Sequence, residues 1–285
     1  MSSALVLTLV LSQYTRARIN DADTQSQCLW WKEATAIEFR QNVDGDAEVP
    51  GDAEFTAVAA AFATWQAELS ACGSLSLTEG PRTLTRTVGY TDSGANENVV
   101  LFRARPCKGM VPETHTCWKD DVCGNQFDCW DHAEGALALT NTSYNKFTGR
   151  ALDADIELNS WDFTFTTVDA PRCVAPAFST SCVATDVQNT MTHEVGHLLG
   201  LNHYDAAVST MNTRASAGEL SKRALDPGSK RFVCDAYPKN ERTPLCVLPV
   251  TSSTLGKLAK TGCAQVPPSL VAVGALALLA RRRRP

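Results

Sequence analysis

Residues 193–203 read His-Glu-Val-Gly-His-Leu-Leu-Gly-Leu-Asn-His. On a helix, His193 and His197 lie one turn apart, so both imidazoles leave the same face and can grip one metal ion. Glu194 sits about 100° around that helix, beside the ion rather than on it, where it can take a proton from a metal-activated water. Were the helix to continue, His203 would point about 240° away from His197. The helix must therefore stop, and Gly200 is where it can, because glycine accepts the left-handed conformation of a helix end. The chain then turns and brings His203 back as a third ligand. Three neutral nitrogens leave a fourth position open to water, which suits a catalytic ion and not a structural one.

These side chains need a frame. Asp186 begins a helix running to about Leu199. Ahead of it, residues 136–142 and 152–159 read as strands, the second with Leu152, Ala154, Ile156 and Leu158 on one face and Asp153, Asp155, Glu157 and Asn159 on the other. Residues 34–39, 83–88 and 98–103 also read as strands. Asp52 can cap a helix in which Phe55, Val58, Phe62, Trp65 and Leu69 recur at three- and four-residue spacing. Asp226-Pro227 is a cap and first-turn pair for a last helix reaching Tyr237. The order is strand, helix, four strands, helix, helix. Trp30 and Trp31 read as core.

The motif HExxHxxGxxH resembles that of the metzincin zinc proteases, and Ser209-Thr210-Met211 resembles their Met-turn, which sets a methionine (Met211) beneath the zinc. The eight-residue step from His203 to Met211, and Leu220-Ser221 followed by a helix ending at Tyr237-Pro238, resemble the matrixin branch, although Tyr204 stands where matrixins usually carry Ser. Residues 148–159 look like the strand that borders the substrate cleft in that group. The resemblance implies an α+β metzincin-like catalytic domain over residues 18–238, with a twisted, mixed five-stranded sheet and about three helices. It implies a zinc endopeptidase with Zn2+ on His193, His197 and His203 and with Glu194 as general base. The strand near residues 152–159 would hold an extended peptide substrate by main-chain pairing. The rival expectation, from another class, is a catalytically silent adhesin or scaffold that keeps zinc for stability alone. Pro171-Arg172-Cys173 echoes the matrixin switch that blocks the zinc, but it lies only twenty residues before His193, and a Cys173–Cys182 disulfide is the expectation there.

Eleven cysteines without a CxxC pair fit disulfides made in an oxidising compartment, and ten of them lie within residues 28–246. Four fall in a cysteine-rich insert, residues 104–134, where His115 and His132 leave a second zinc as an alternative to disulfides. Asp44, Asp46 and Glu48 around Gly45, or the acidic face of Asp153, Asp155 and Glu157, offer a structural Ca2+ site or merely a solvated acidic face.

Both ends of the chain read as targeting segments. Residues 4–11 are apolar and lead to Thr15-Arg16-Ala17, a secretory leader spanning residues 1–17, with a buried first strand as the alternative. Residues 239–262 read as a linker. Residues 270–280 are apolar and precede four arginines, but a helix of that length rises only about 17 Å against a hydrocarbon core of about 30 Å. With Gly262-Cys263, residues 263–285 resemble the sorting tail of myxobacterial surface proteins. That resemblance implies transient membrane contact, removal by a tail-processing membrane protease, and Cys263 as the surface handle; a plain anchor is the alternative. Loss of Arg16 and the four terminal arginines takes the net charge from −5 to −10, which repels phosphate backbones and argues against nucleic acid as a partner. The expectation is an exported monomer at the cell surface that acts on protein or peptide.

Overall fold

The computed structural model describes residues 13–247. Its centre is a five-stranded mixed sheet in the order β3 (Ser76–Glu79), β2 (Ala36–Gln41), β4 (Asn98–Arg103), β6 (Ala151–Asn159), β5 (Ala138–Tyr144). The first four strands run parallel to their neighbours, and only β5 is antiparallel, to β6. Three longer helices, α1 (Ala53–Cys72), α4 (Val187–Leu198) and α5 (Pro227–Ala236), accompany the sheet; α2 (Cys117–Asp120) and α3 (Cys123–Phe127) are short and belong to the insert. Short strands complete it: β1 (Thr15–Arg16) pairs with β9 (Leu201–Asn202), and β7 (Phe165–Thr166) with β8 (Thr185–Asp186). The fold is α+β, disulfide-rich, and carries the expected five-stranded mixed sheet.

Hydrophobic periodicity explains the helices. Phe55, Val58, Phe62, Trp65 and Leu69 of α1 are all buried, and Phe62 stacks on Phe39 of β2. The Trp65 indole donates to the Thr192 carbonyl of α4, so α1 holds the histidine helix by a directed bond as well as by packing. Trp31 does the same from the other end, donating to the Leu198 carbonyl. Trp30 is only half-buried and donates to Thr148, so it is not core.

Several expectations need correction. Asp52 does not cap α1: it adopts a left-handed conformation, and its carboxylate pairs with Arg82 instead. Residues 83–88 form no strand. The third strand is β3, a four-residue parallel edge, and Thr83 makes only an isolated bridge to Asn42. The strand with clean alternation, β6, is not an edge. It lies between β4 and β5, and the acidic face expected in solvent is buried beneath the segment ahead of β4 and the cysteine-rich insert. Gly89 and Val99 donate backbone N–H groups to Asp155, while Arg103 and His132 bind Glu157. Arg103 and His132 hold the Glu157 carboxyl below its usual range despite the burial that raises it.

All ten cysteines within residues 28–246 pair: Cys28–Cys246, Cys72–Cys234, Cys107–Cys129, Cys117–Cys123 and Cys173–Cys182. The insert is therefore stapled by disulfides, and no metal-ligand cluster involves His115 or His132 among the described residues. Cys246 ties residues 239–246 back onto the domain, and Thr243 is buried there, so this stretch is not a free linker. At the other end, the Tyr14 hydroxyl donates to Asp235, Thr15 and Arg16 pair with Asn202 and Leu201, and Ala17 donates to the Gly200 carbonyl. Residues 14–17, expected in a removable leader, are thus built into the domain. The apolar leader stretch at residues 4–11, Cys263 and the apolar, arginine-ended tail lie outside the described residues.

Asp153 and Asp155 face each other in the buried layer, and one Asp153 oxygen lacks any hydrogen-bond partner. Burial, and then the Asp153 charge, push Asp155 up to about 8. Its folded pKa thus exceeds its unfolded value of about 3.9, so its contribution to stability is fully present below pH 4 and is lost as pH rises towards 8. Asp153→Asn removes the repelling charge and offers its neighbour a donor. The variant should melt several degrees above the parent at pH 8, on a scale of about 2–4 °C per kcal/mol, with a smaller gap at pH 5. Thermal melts at both pH values check this, and equal gaps would rule out the coupling.

Candidate metal centre

The three histidines meet as their spacing requires. Their Nε2 atoms lie 3.1 Å (His193–His197), 3.2 Å (His197–His203) and 3.3 Å (His193–His203) apart. Helix α4 supplies the first two from adjacent turns. It begins at Asp186, whose side chain accepts from Asn189 N–H, and it stops after Leu198. Gly200 has φ +98°, the left-handed end anticipated for it, and a Cβ there would sit 2.8 Å from the Leu29 carbonyl oxygen. The chain turns at that point, and β9 carries it to His203.

Backbone carbonyls set the tautomers. His193 Nδ1 lies 2.7 Å from the Thr210 oxygen and His197 Nδ1 lies 2.8 Å from the Leu201 oxygen. A carbonyl can only accept, so each Nδ1 carries the proton and each Nε2 is a bare acceptor. Burial, first, pushes all three imidazoles below their ordinary pKa, and His197 adds to the shift for the other two. Neutral acceptors packed this closely call for a cation between them. Tetrahedral Zn–N bonds of 2.0–2.1 Å place ligand nitrogens about 3.3 Å apart, so the spacing fits zinc.

Around this triad the turn at residues 209–211 does two jobs. Met211 is buried, and its Cε lies 3.0 Å from where a Cβ on Gly196 would stand, so the sulfur side chain fills space that only glycine leaves open on α4. Thr210, next to it, orients His193. Thr210 is itself held by Asp226, whose carboxylate accepts from Thr210 N–H at 3.0 Å while Asp226 N–H donates to the Thr210 hydroxyl at 3.1 Å. The same Asp226 carboxylate caps α5 through Gly228 and Ser229. One side chain thus starts a helix and fixes the orientation of a histidine.

Glu194 is buried next to the histidines, and burial pushes its carboxyl up to about 7. The Thr140 hydroxyl of β5 donates to Glu194 Oε2 at 2.7 Å. Sequence reading missed Thr140, since only the inward alternation of β5 distinguishes it. It also missed Lys222. The buried ammonium of Lys222 donates to the Asn212 and Arg214 carbonyls, both at 2.8 Å, and pins the wall that follows Met211. β5 and that wall border a cleft of about 880 Å3 holding Glu194 and all three histidines. The strand lining this cleft is β5, at the free edge of the sheet, and not β6, the strand that the matrixin resemblance of residues 148–159 implied.

Several of the acidic groups considered for calcium are otherwise engaged. Asp44 pairs with Arg86, Asp46 is buried and accepts from Glu48 N–H, and Asp155 and Glu157 are bound as described above. No family model matches the chain, and none of the curated proteins compared with it does.

Removing the Asp226 carboxylate should loosen both α5 and Thr210. Asp226→Ala is expected to cost about 1–2 kcal/mol in stability, as lost caps do, and to weaken zinc affinity about 10–100-fold. Competition with a chromogenic chelator measures the second effect; unchanged affinity in a folded variant would remove Asp226 from the support of the site.

Proposed function

We propose that this chain is a metzincin-type, matrixin-like zinc endopeptidase, exported and carried at the cell surface. The observation that supports it is the triad of Nε2 atoms at 3.1–3.3 Å with the buried Glu194 carboxyl beside them, in a cleft bordered by a free sheet edge. His193, His197 and His203 would hold the ion. Zinc on three neutral nitrogens supplies a water that ionises near pH 7 and a Lewis acid for a substrate carbonyl.

The rest is the work of the chain. An extended peptide pairs its main chain with the open edge of β5, where Leu139 is exposed, and this lays a scissile bond across the cleft. Thr140 fixes one Glu194 oxygen by its hydroxyl, leaving the other to accept the proton of the attacking water. Glu194 then gives that proton to the departing amine nitrogen. The Met-turn and Lys222 keep the opposite wall in place. Five disulfides accord with an oxidising location, and no described helix is long and apolar enough to cross a membrane.

Casein or a peptide library, with and without chelator, tests the reading: cleavage should vanish on zinc removal and return with zinc. Glu194→Gln should retain stoichiometric zinc yet lose at least about 100-fold in rate, the scale of general-base catalysis. Full activity in that variant would assign the base to another group, and none in the parent would favour a zinc-stabilised adhesin instead. Thr140→Val should keep zinc and KM while kcat falls about tenfold, as when one neutral hydrogen bond to a reacting carboxylate is lost. Steady-state kinetics separate the two parameters, and an unchanged kcat would leave Thr140 with no part in positioning the base.

A further inference from the structure

The cysteine-rich insert has no role in the mechanism above, yet it builds the wall of a second large cavity, about 740 Å3. Three tryptophans line it: Trp118 and Trp130 from the insert and Trp161 from the turn after β6. Two of them are held rigidly. Trp118 donates its indole N–H to the Pro112 carbonyl, and Trp130 donates to that of Ala133. Disulfides Cys107–Cys129 and Cys117–Cys123 staple the segments that carry both. Trp161 is anchored by its backbone N–H to Arg103 while its side chain stays 54% exposed.

Charge selects the ligand. The lining holds four carboxylates, Glu113, Asp131, Glu134 and Asp162, against Lys108 and His132. Lys108 is bound to Glu134, and His132 is turned to Glu157. Even with both bases charged, two carboxylates remain in excess over bases. Asp131 also accepts from Gly124 N–H and lies 3.6 Å from His132, and Asp162 accepts from the Asn159 amide. Indole faces beside carboxylates in excess over bases attract an organic cation, through the ring quadrupole and through Coulomb attraction together.

Position links this cavity to the cleft. Asp162 also lines a smaller cavity of about 260 Å3, which shares Leu137, Phe163, Asn189 and Thr190 with the zinc-site cleft. Thr140, beside Glu194, and Glu134, in the tryptophan cavity, are six residues apart, a reach of at most about 22 Å. An extended substrate of similar length can touch both.

We propose that the tryptophan cavity is an exosite for a basic side chain, arginine or lysine, carried by the substrate about six residues or fewer from the scissile bond. This assignment rests on the endopeptidase reading for its role in catalysis, but not for the binding itself.

The two can be tested separately. Zinc-loaded Glu194→Gln protein, unable to cleave, is titrated with N-acetyl-argininamide while tryptophan fluorescence is followed. Saturable binding is expected, weakened about tenfold in Trp161→Ala and in Glu113→Gln and retained in Trp161→Phe. N-acetyl-glutaminamide should not bind. Absence of an argininamide response, equal binding in Trp161→Ala, or a preference for N-acetylglucosamine oligomers would each overturn the cation site. In the active protein, peptides with a distal arginine should be cleaved with about tenfold higher kcat/KM than glutamine counterparts, and Trp161→Ala should abolish that difference alone. Cleavage indifferent to the distal residue would overturn the exosite. Argininamide binding without any peptidase activity would instead uphold the cation site and overturn the reading of the cleft.

Discussion

Three histidine Nε2 atoms converging within 3.3 Å of one another are the constraint on which this structure turns. Lone pairs brought this close repel unless a cation lies between them. Protonation could relieve the contact only by placing charge in a desolvated pocket, which is why the imidazoles are driven towards neutrality. A divalent cation resolves the conflict at once, since it turns three repulsions into three bonds. The arrangement therefore stores an affinity, and the surrounding fold must supply the force that keeps the nitrogens converged.

That holding is done largely by main chain. Two of the imidazoles are oriented by carbonyls, from Thr210 and Leu201, and each carbonyl belongs to a segment braced from a distance. Leu201 lies in β9, whose partner strand β1 comes from the N-terminal end of the domain. Thr210 is bound to Asp226 at the start of α5. Elements with no chemistry of their own thus fix ligand geometry through hydrogen bonds, which are directional where hydrophobic packing is not. The indoles of Trp65 and Trp31 extend this logic by gripping carbonyls of α4 at Thr192 and at its last residue, Leu198.

Local rules make the ligands legible in the sequence itself. The helix spacing of His193 and His197, the forced stop before His203 and the left-handed Gly200 all follow from helix geometry, and the fold agrees on each. The same rules place α1, α5 and the strand character of β6. They fail where the deciding interaction is non-local. Asp52 has the right type and position for a cap, but Arg82 takes its carboxylate and the backbone turns left-handed. β6 alternates like a half-exposed edge strand, and only the insert and the segment ahead of β4, far away in sequence, turn its acidic side into an interior. Thr140 could not be singled out from its neighbours, because its importance lies in facing Glu194 across 54 residues of chain.

The buried acids of β6 show what such tertiary rescue costs and how it is met. Glu157 is satisfied by a guanidinium and an imidazole, so its charge is an anchor that fastens the cysteine-rich insert to the sheet. Asp153 and Asp155 receive only backbone N–H groups and each other, so at neutral pH they oppose folding. A domain carrying that penalty needs stabilisation that does not depend on the core alone. Five disulfides supply it, and two of them, Cys28–Cys246 and Cys72–Cys234, close loops of more than a hundred residues. Constraining the unfolded chain in this way stabilises the fold by about 2–4 kcal/mol per long loop. Covalent closure of the frame thus lets the interior keep groups that hydrophobic packing by itself would reject.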